Sequence, residues 1–164
     1  MIDKIYVAID NGISGSIAIL GRDEQFFCKT PIKKELSYTK TKQYISRINF
    51  SLLLELLRKQ LEGYTNVLVL LERPIVNPTR FKATVSGLRA FEATLITIEV
   101  LNLPFQYEDS KKWQKEMLPS GLKGEELKAA SLDVGNRLFP QFSSIKHPDR
   151  DSLLMAEYAR RKQL

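Results

Sequence analysis

Short apolar runs alternate with polar turns through the first thirty residues. Ile5-Tyr6-Val7-Ala8-Ile9 is closed by Asp10, and two further strand-like runs follow at residues 16–20 and 25–30. Residues 5–10, 16–20 and 25–30 therefore read as three strands. The linkers 11–15 and 21–24 carry the Gly, Asn and Asp of tight connections. Strands joined this tightly pair antiparallel. Residues 31–41 are polar and rich in lysine, and read as a mobile loop.

The period then changes to helical. Phe50, Leu53, Leu54, Leu57 and Leu61 share one face of residues 49–61, with Glu55, Arg58 and Lys59 elsewhere and Gly63 at the end. Residues 66–71 are apolar at nearly every position, as in a central strand covered on both faces. Pro74 and Pro78 interrupt the chain. Leu88, Phe91, Leu95 and Ile98 then mark a helix over 82–101, and a short strand follows at 105–108. Ser110 is placed to cap a short helix running through Trp113 to Met117. A turn at 121–124 precedes a helix over 125–138, with Leu127, Ala130, Val134 and Leu138 expected inward. A polar loop covers 140–149, and residues 151–162 form the last helix. The order predicts an α/β domain spanning 1–164, with a mixed five-stranded sheet (three antiparallel strands, then parallel ones) flanked by helices.

Composition narrows the classes. With 164 residues, 43% hydrophobic and 27% charged, the chain suits one globular domain and is neither disordered nor membrane-spanning. Its N-terminus has no basic and apolar leader pattern, and one cysteine, Cys28, allows neither an intrachain disulfide nor a cysteine zinc site. An intracellular, cytoplasmic setting is expected. The net charge of +6 favours a polyanionic partner.

The informative polar residues are acids at the ends of apolar elements. Asp10 ends the first strand, Glu72 follows Val67-Leu68-Val69-Leu70-Leu71, and Asp151 opens the last helix. Singly, each has a plain structural reading. Asp10 suits an Asx turn, Asp151 a helix start favoured by the helix dipole, and Glu72 an exposed strand end paired with Arg73. Together, three acids that burial would penalise, on three distant segments, point to a metal site assembled by folding.

Three motifs resemble the RuvC-like branch of the ribonuclease H superfamily, and within it the phage-type Holliday junction resolvases. They are Ile9-Asp10-Asn11-Gly12 with Gly15-Ser16-Ile17-Ala18, Leu71-Glu72-Arg73-Pro74, and His147-Pro148-Asp149-Arg150-Asp151 leading into Ser152-Leu153-Leu154-Met155-Ala156. Lys111-Lys112-Trp113 lies between them, where the family carries a Trp-Lys-like segment. The chain departs from the family at Asn11, where relatives often have Pro, and at Pro148, where a fourth ligand is usual.

The resemblance implies a ribonuclease H-like fold and a junction-cutting, Mg²⁺-dependent endonuclease, with Mn²⁺ as a substitute. Two such ions about 4 Å apart activate water and stabilise the leaving oxygen, and hard oxygen ligands suit them. The implied catalytic and metal-binding residues are Asp10, as bridging ligand, with Glu72, Asp149 and Asp151. His147 stands beside Asp149 as the other candidate for the fourth ligand. Branched DNA is the implied partner, gripped by Arg73, Arg80, Phe81, Lys111, Lys112, Lys115, Lys123 and Lys128, with a homodimer supplying two nicks and no nucleotide cofactor. The plain reading of the lysines is a solvated helix face, that of Trp113 the core, and that of Arg80 and Phe81 a helix start.

Two other readings share these residues. One keeps the fold and changes the substrate to other branched DNA, an RNA–DNA hybrid or precursor RNA. The other is a non-catalytic nucleic-acid-binding module or a sugar-kinase and actin-like fold. The latter has two lobes, for which 164 residues leave no room.

Overall fold

A computed structural model describes residues 3–164, so the first two residues of the leaderless N-terminus expected above lie outside it. Three strands, β1 (Ile5–Ile9), β2 (Ser16–Leu20) and β3 (Gln25–Lys29), pair antiparallel in sequence order. Two more, β4 (Ile32–Leu36) and β5 (Tyr44–Ile48), pair antiparallel with each other as a ribbon outside the main sheet. Helix α1 (Phe50–Gln60) leads to β6 (Val67–Glu72), which lies parallel to β1. Helix α2 (Phe81–Val100) leads to β7 (Phe105–Glu108), parallel to β6. The five-stranded sheet therefore runs β3-β2-β1-β6-β7, the mixed order expected from sequence. Three more helices complete the chain: α3 (Ser110–Met117), α4 (Gly124–Leu138) and α5 (Asp151–Lys162).

Side chains alternate across each strand, so the two faces of the sheet build two cores. Ile5, Val7, Ile9, Val69 and Leu71 face the helices α1 and α2. Tyr6, Ala8, Leu70 and Phe27 face Trp113 of α3 and the helix α5. Helix α5 is the central one. Every residue from Ser152 to Ala159 is buried, and Ser152 meets Ser16 of β2 in a hydroxyl–hydroxyl bond of 2.7 Å. Among the described residues, no helix is long and apolar enough to cross a membrane.

The structure corrects the sequence reading at three points. Residues 31–41 are not a loop throughout, because they contain β4 and lead into its partner β5. Lysines on both faces hide the alternation of this ribbon, which buries only Ile48. Ser110 is not the cap of α3; Asp109 holds that position and makes no side-chain cap bond. Leu138 is 40% exposed, because α4 turns Ser131 and Gly135 inward instead.

Candidate metal centre

Parallel strands β1 and β6 end side by side, with Ile9 in register with Leu71. Their next residues, Asp10 and Glu72, thus leave neighbouring strand ends on the side occupied by α5. The loop after Asp10 is closed by Asp10 N–H donating to Ser16 O at 3.0 Å and Gly15 N–H donating to Gly12 O at 3.2 Å. A side chain at Gly15 would collide with the Asp10 carbonyl, so glycine lets this loop fold back on the acid.

Helix α5 brings the remaining acids. Asp151 is its first residue, and the Asp151 N–H donates to Asp149 Oδ1 at 3.3 Å. Asp10, Asp149 and Asp151 each offer a carboxylate oxygen within 4.8 Å of the others. Glu72 stands outside this closest trio yet shares its field. Burial pushes the Asp10 carboxyl well above its usual range, helped by the charges of Glu72, Asp151 and Asp149, with Lys128 acting the other way. Burial, then the Asp151 charge, pushes Glu72 up to about 7. Burial, then the Asp149 charge, pushes Asp151 up to about 6. Crowded carboxylates held against one another in this way need a counter-cation or protons.

The donor set fits a hard divalent cation. It is all oxygen and negatively charged, and two of its members sit on rigid element ends. Next to Asp10, Asn11 Nδ2 donates to Gly87 O of α2 at 3.1 Å, and the buried Asn11 Oδ1 has no partner. Asp10, Asn11, Glu72, Arg73 and Arg80 line one cleft of about 330 Å³ that opens beside α2.

His147 is placed differently. Its Nε2 lies 3.0 Å from Ser14 O, and its Nδ1 lies 3.0 Å from the carbonyl oxygen of Asp149 and 3.3 Å from its Oδ1. Burial opposes its charge, but hydrogen bonds to Asp149 outweigh that and raise its pKa. The ring ties the 10–16 loop to Asp149, and both nitrogens are engaged. Of the two candidates for the fourth position, Asp149 is the one in the carboxylate cluster.

Three residues that sequence reasoning did not assign to the site hold these acids. Arg150 is buried and donates to the carbonyls of Phe142, Ile145, His147 and Asp149 and to Asn136 Oδ1. Its stem passes where a side chain at Gly135 would be, so α4 approaches only because that residue is glycine. Ser131 accepts the Arg150 N–H at 3.1 Å and donates to Asp151 Oδ1. Trp113 is in the core as its plain reading expected, but its indole N–H also donates to Glu72 Oε2 at 3.3 Å. An arginine set between two acids was the sequence signal for Arg150, and the Lys111-Lys112-Trp113 segment that for Trp113, though neither pointed to a bond with the acids; Ser131 carried none.

The residues expected to touch DNA divide into groups. Arg80 and Phe81 are exposed at the start of α2, Phe81 by 70%. Arg73 is exposed beside the acids, but pairs with Asp109 at 3.1 Å and stacks on Tyr107. Lys112 is engaged by buried Glu108 at 3.4 Å, and Lys128 lies 3.7 Å from Glu125. Lys111 and Lys115 line a pocket of about 260 Å³ with Gly121, and Lys123 is exposed nearby at the start of α4.

The sheet order and its flanking helices match a ribonuclease H-like fold. Two solved structures similar to the chain are RuvC of Thermus thermophilus in complex with a Holliday junction substrate, and Thermus thermophilus RuvC. The first has a TM-score of 0.57 at 10% identity and covers 97% of this chain and 96% of that one. The second has a TM-score of 0.54 at 11% identity, with the same coverage of both chains. At these identities the likeness is one of fold. No protein-family model matches the chain, and no curated protein does.

Proposed function

We propose that this protein is a metal-dependent, structure-selective endonuclease that resolves four-way DNA junctions by paired symmetric nicks. The observation that carries the proposal is the convergence of Asp10, Asp149 and Asp151, with Glu72 beside them, at adjoining strand ends and the first turn of a buried helix. The fold shared with a protein solved on a Holliday junction supports the choice of substrate.

In this reading Asp10, Glu72, Asp149 and Asp151 hold Mg²⁺, or Mn²⁺ in its place. When bound, the cations would supply an activated water and charge stabilisation of the leaving oxygen. The chain's own residues do the rest. Ser131 and Trp113 fix the carboxylate rotamers, Arg150 and His147 hold the 139–150 segment against the 10–16 loop, and Asn11 Oδ1 offers an acceptor on the cleft wall. Arg80 lines the cleft and exposed Phe81 follows it at the start of α2, an aromatic ring able to stack on an unpaired base at the branch. Lys111, Lys115 and Lys123 reach for phosphates farther along.

Two symmetric nicks call for two centres, hence a homodimer with twofold symmetry. Helix α2 carries exposed Leu88, Ile96 and Val100, which suits it to that role. The test is a panel of end-labelled four-way junctions, flaps, linear duplexes and RNA–DNA hybrids with Mg²⁺ or with EDTA. Paired, symmetric, Mg²⁺-dependent nicks in the junction support the proposal. Equal cutting of all substrates, or preference for the hybrid, contradicts it.

A further inference from the structure

The ribbon β4–β5 plays no part in the acidic centre, yet it holds most of the chain's charge imbalance. Residues 32–48 carry Lys33, Lys34, Lys40, Lys42 and Arg47 against one acid, Glu35, a net +4 of the chain's +6, and Lys29 at the end of β3 stands just before them. Glu35 is shared between Lys33 at 2.5 Å and Arg47 at 2.6 Å. Lys29, Lys34, Lys40 and Lys42 are exposed and form none of the ion pairs among the described residues. Between the lysines stand exposed apolar groups: Ile32 at 43%, Leu36 at 60%, Tyr38 at 68% and Tyr44 at 72%.

The ribbon is also in the right place. Its base meets the loop that follows Asp10, because Thr30 N–H, just before β4, donates to Gly15 O at 3.0 Å, and Lys29 and Ile32 share a pocket with Ser14 and His147. Its body leans on α2, where Arg89 Nη1 donates to the Tyr38 hydroxyl at 3.0 Å and leaves a buried Nε without a partner. Lys33, Arg47 and Arg89 line the cleft of about 320 Å³ between ribbon and helix.

We propose that the β4–β5 ribbon is a second nucleic-acid-binding element that grips a duplex DNA arm next to the acidic centre. A two-stranded ribbon is one of the elements that a major groove about 12 Å wide admits. Exposed lysines clustered on one element are the electrostatic footprint of a surface that binds a phosphate backbone. A second copy of the ribbon is a poor occupant, since it brings the same excess of positive charge. The proposal rests on the nucleic-acid reading above but not on cleavage.

Anisotropy of a labelled duplex and a labelled four-way junction, measured in EDTA over a salt series, tests it on the full chain. The wild type is compared with K34Q/K40Q/K42Q and with K34R/K40R/K42R. The glutamine variant should bind about 10-fold more weakly or worse, and its log–log salt slope should fall by about 0.9 for each phosphate that is no longer neutralised. The arginine variant should keep both affinity and slope. If the wild type binds and the glutamine variant matches it in affinity and slope, the ribbon proposal is overturned. If the wild type binds neither DNA, the nucleic-acid reading falls, and the ribbon proposal with it. A dimer that L36S/Y44S dissociates, with DNA binding unchanged, would make the ribbon a self-association surface and also overturn it.

Discussion

The indole nitrogen of Trp113 donates to Oε2 of Glu72 across 3.3 Å, from the middle of α3 to the last residue of β6. A tryptophan with no exposed surface thereby fixes an acid that burial alone would drive toward its neutral form. The bond opposes the rise of the Glu72 pKa to about 7. Trp113→Phe keeps the ring packing and removes the donor. Its loss should cost about 1.5–3 kcal/mol, as for a hydrogen bond to a charged group. The Glu72 pKa should rise further, so the acid limb of the pH–rate profile should move to higher pH. An unchanged profile with only a lower melting temperature would reduce Trp113 to a packing residue.

The same acids set the pH dependence of the metal-free fold. Asp151 titrates near 6 instead of 3.8, and Glu72 near 7 instead of 4.5. Between those limits the folded state binds more protons than the unfolded chain, so stability falls as pH rises from about 4 to about 7. His147, raised above 6.5, adds a loss of the same sign as it deprotonates. In EDTA, chemical denaturation should therefore give a more stable protein at pH 5 than at pH 8. Added Mg²⁺ should stabilise more at pH 8, where fewer protons compete for the carboxylates. Mg²⁺ stabilisation of equal size at both pH values would mean that the cation binds elsewhere.

Asp10, Glu72 and Asp151 were legible because each interrupts a strong local pattern. Two are acids directly after apolar runs, and one opens a helix whose observed bounds, Asp151–Lys162, coincide with those expected. The strand Phe105–Glu108 was equally plain. The β4–β5 ribbon was not, because its strands pair chiefly with each other and expose lysine where a buried strand would show an apolar face. The support of the site was hidden for another reason. Ser131 and Trp113 act on acids 20 and 41 positions away, and no local pattern announces such a partner.

Arg150 is a buried charged side chain held by main-chain carbonyls of the 139–150 segment. Arg150→Met should destabilise by about 1–3 kcal/mol, because buried carbonyl acceptors lose their donor. Gly135→Ala places a methyl group against the same stem and should cost about 1–3 kcal/mol. Urea unfolding of both variants checks this. A glycine variant as stable as the wild type would show that α4 can move away.

Phe81 is exposed, so its removal empties no part of the core. Phe81→Ala should change stability by no more than about 0.5 kcal/mol. Its effect should fall on preference: the ratio of junction to linear-duplex affinity should drop, while linear-duplex binding stays the same. A preserved ratio would remove Phe81 from the branch point.

The most direct measurement compares junction nicking and junction binding in one variant, Asp10→Asn. The change keeps the shape of a side chain at the centre of the acidic cluster and removes its charge. With Mg²⁺ present, nicking should fall by at least about 10³-fold, of the order lost when a group acting on the transition state is removed. Junction affinity in EDTA should stay within about twofold. Nicking at the wild-type rate would contradict the assignment of Asp10, Glu72, Asp149 and Asp151 as the catalytic centre.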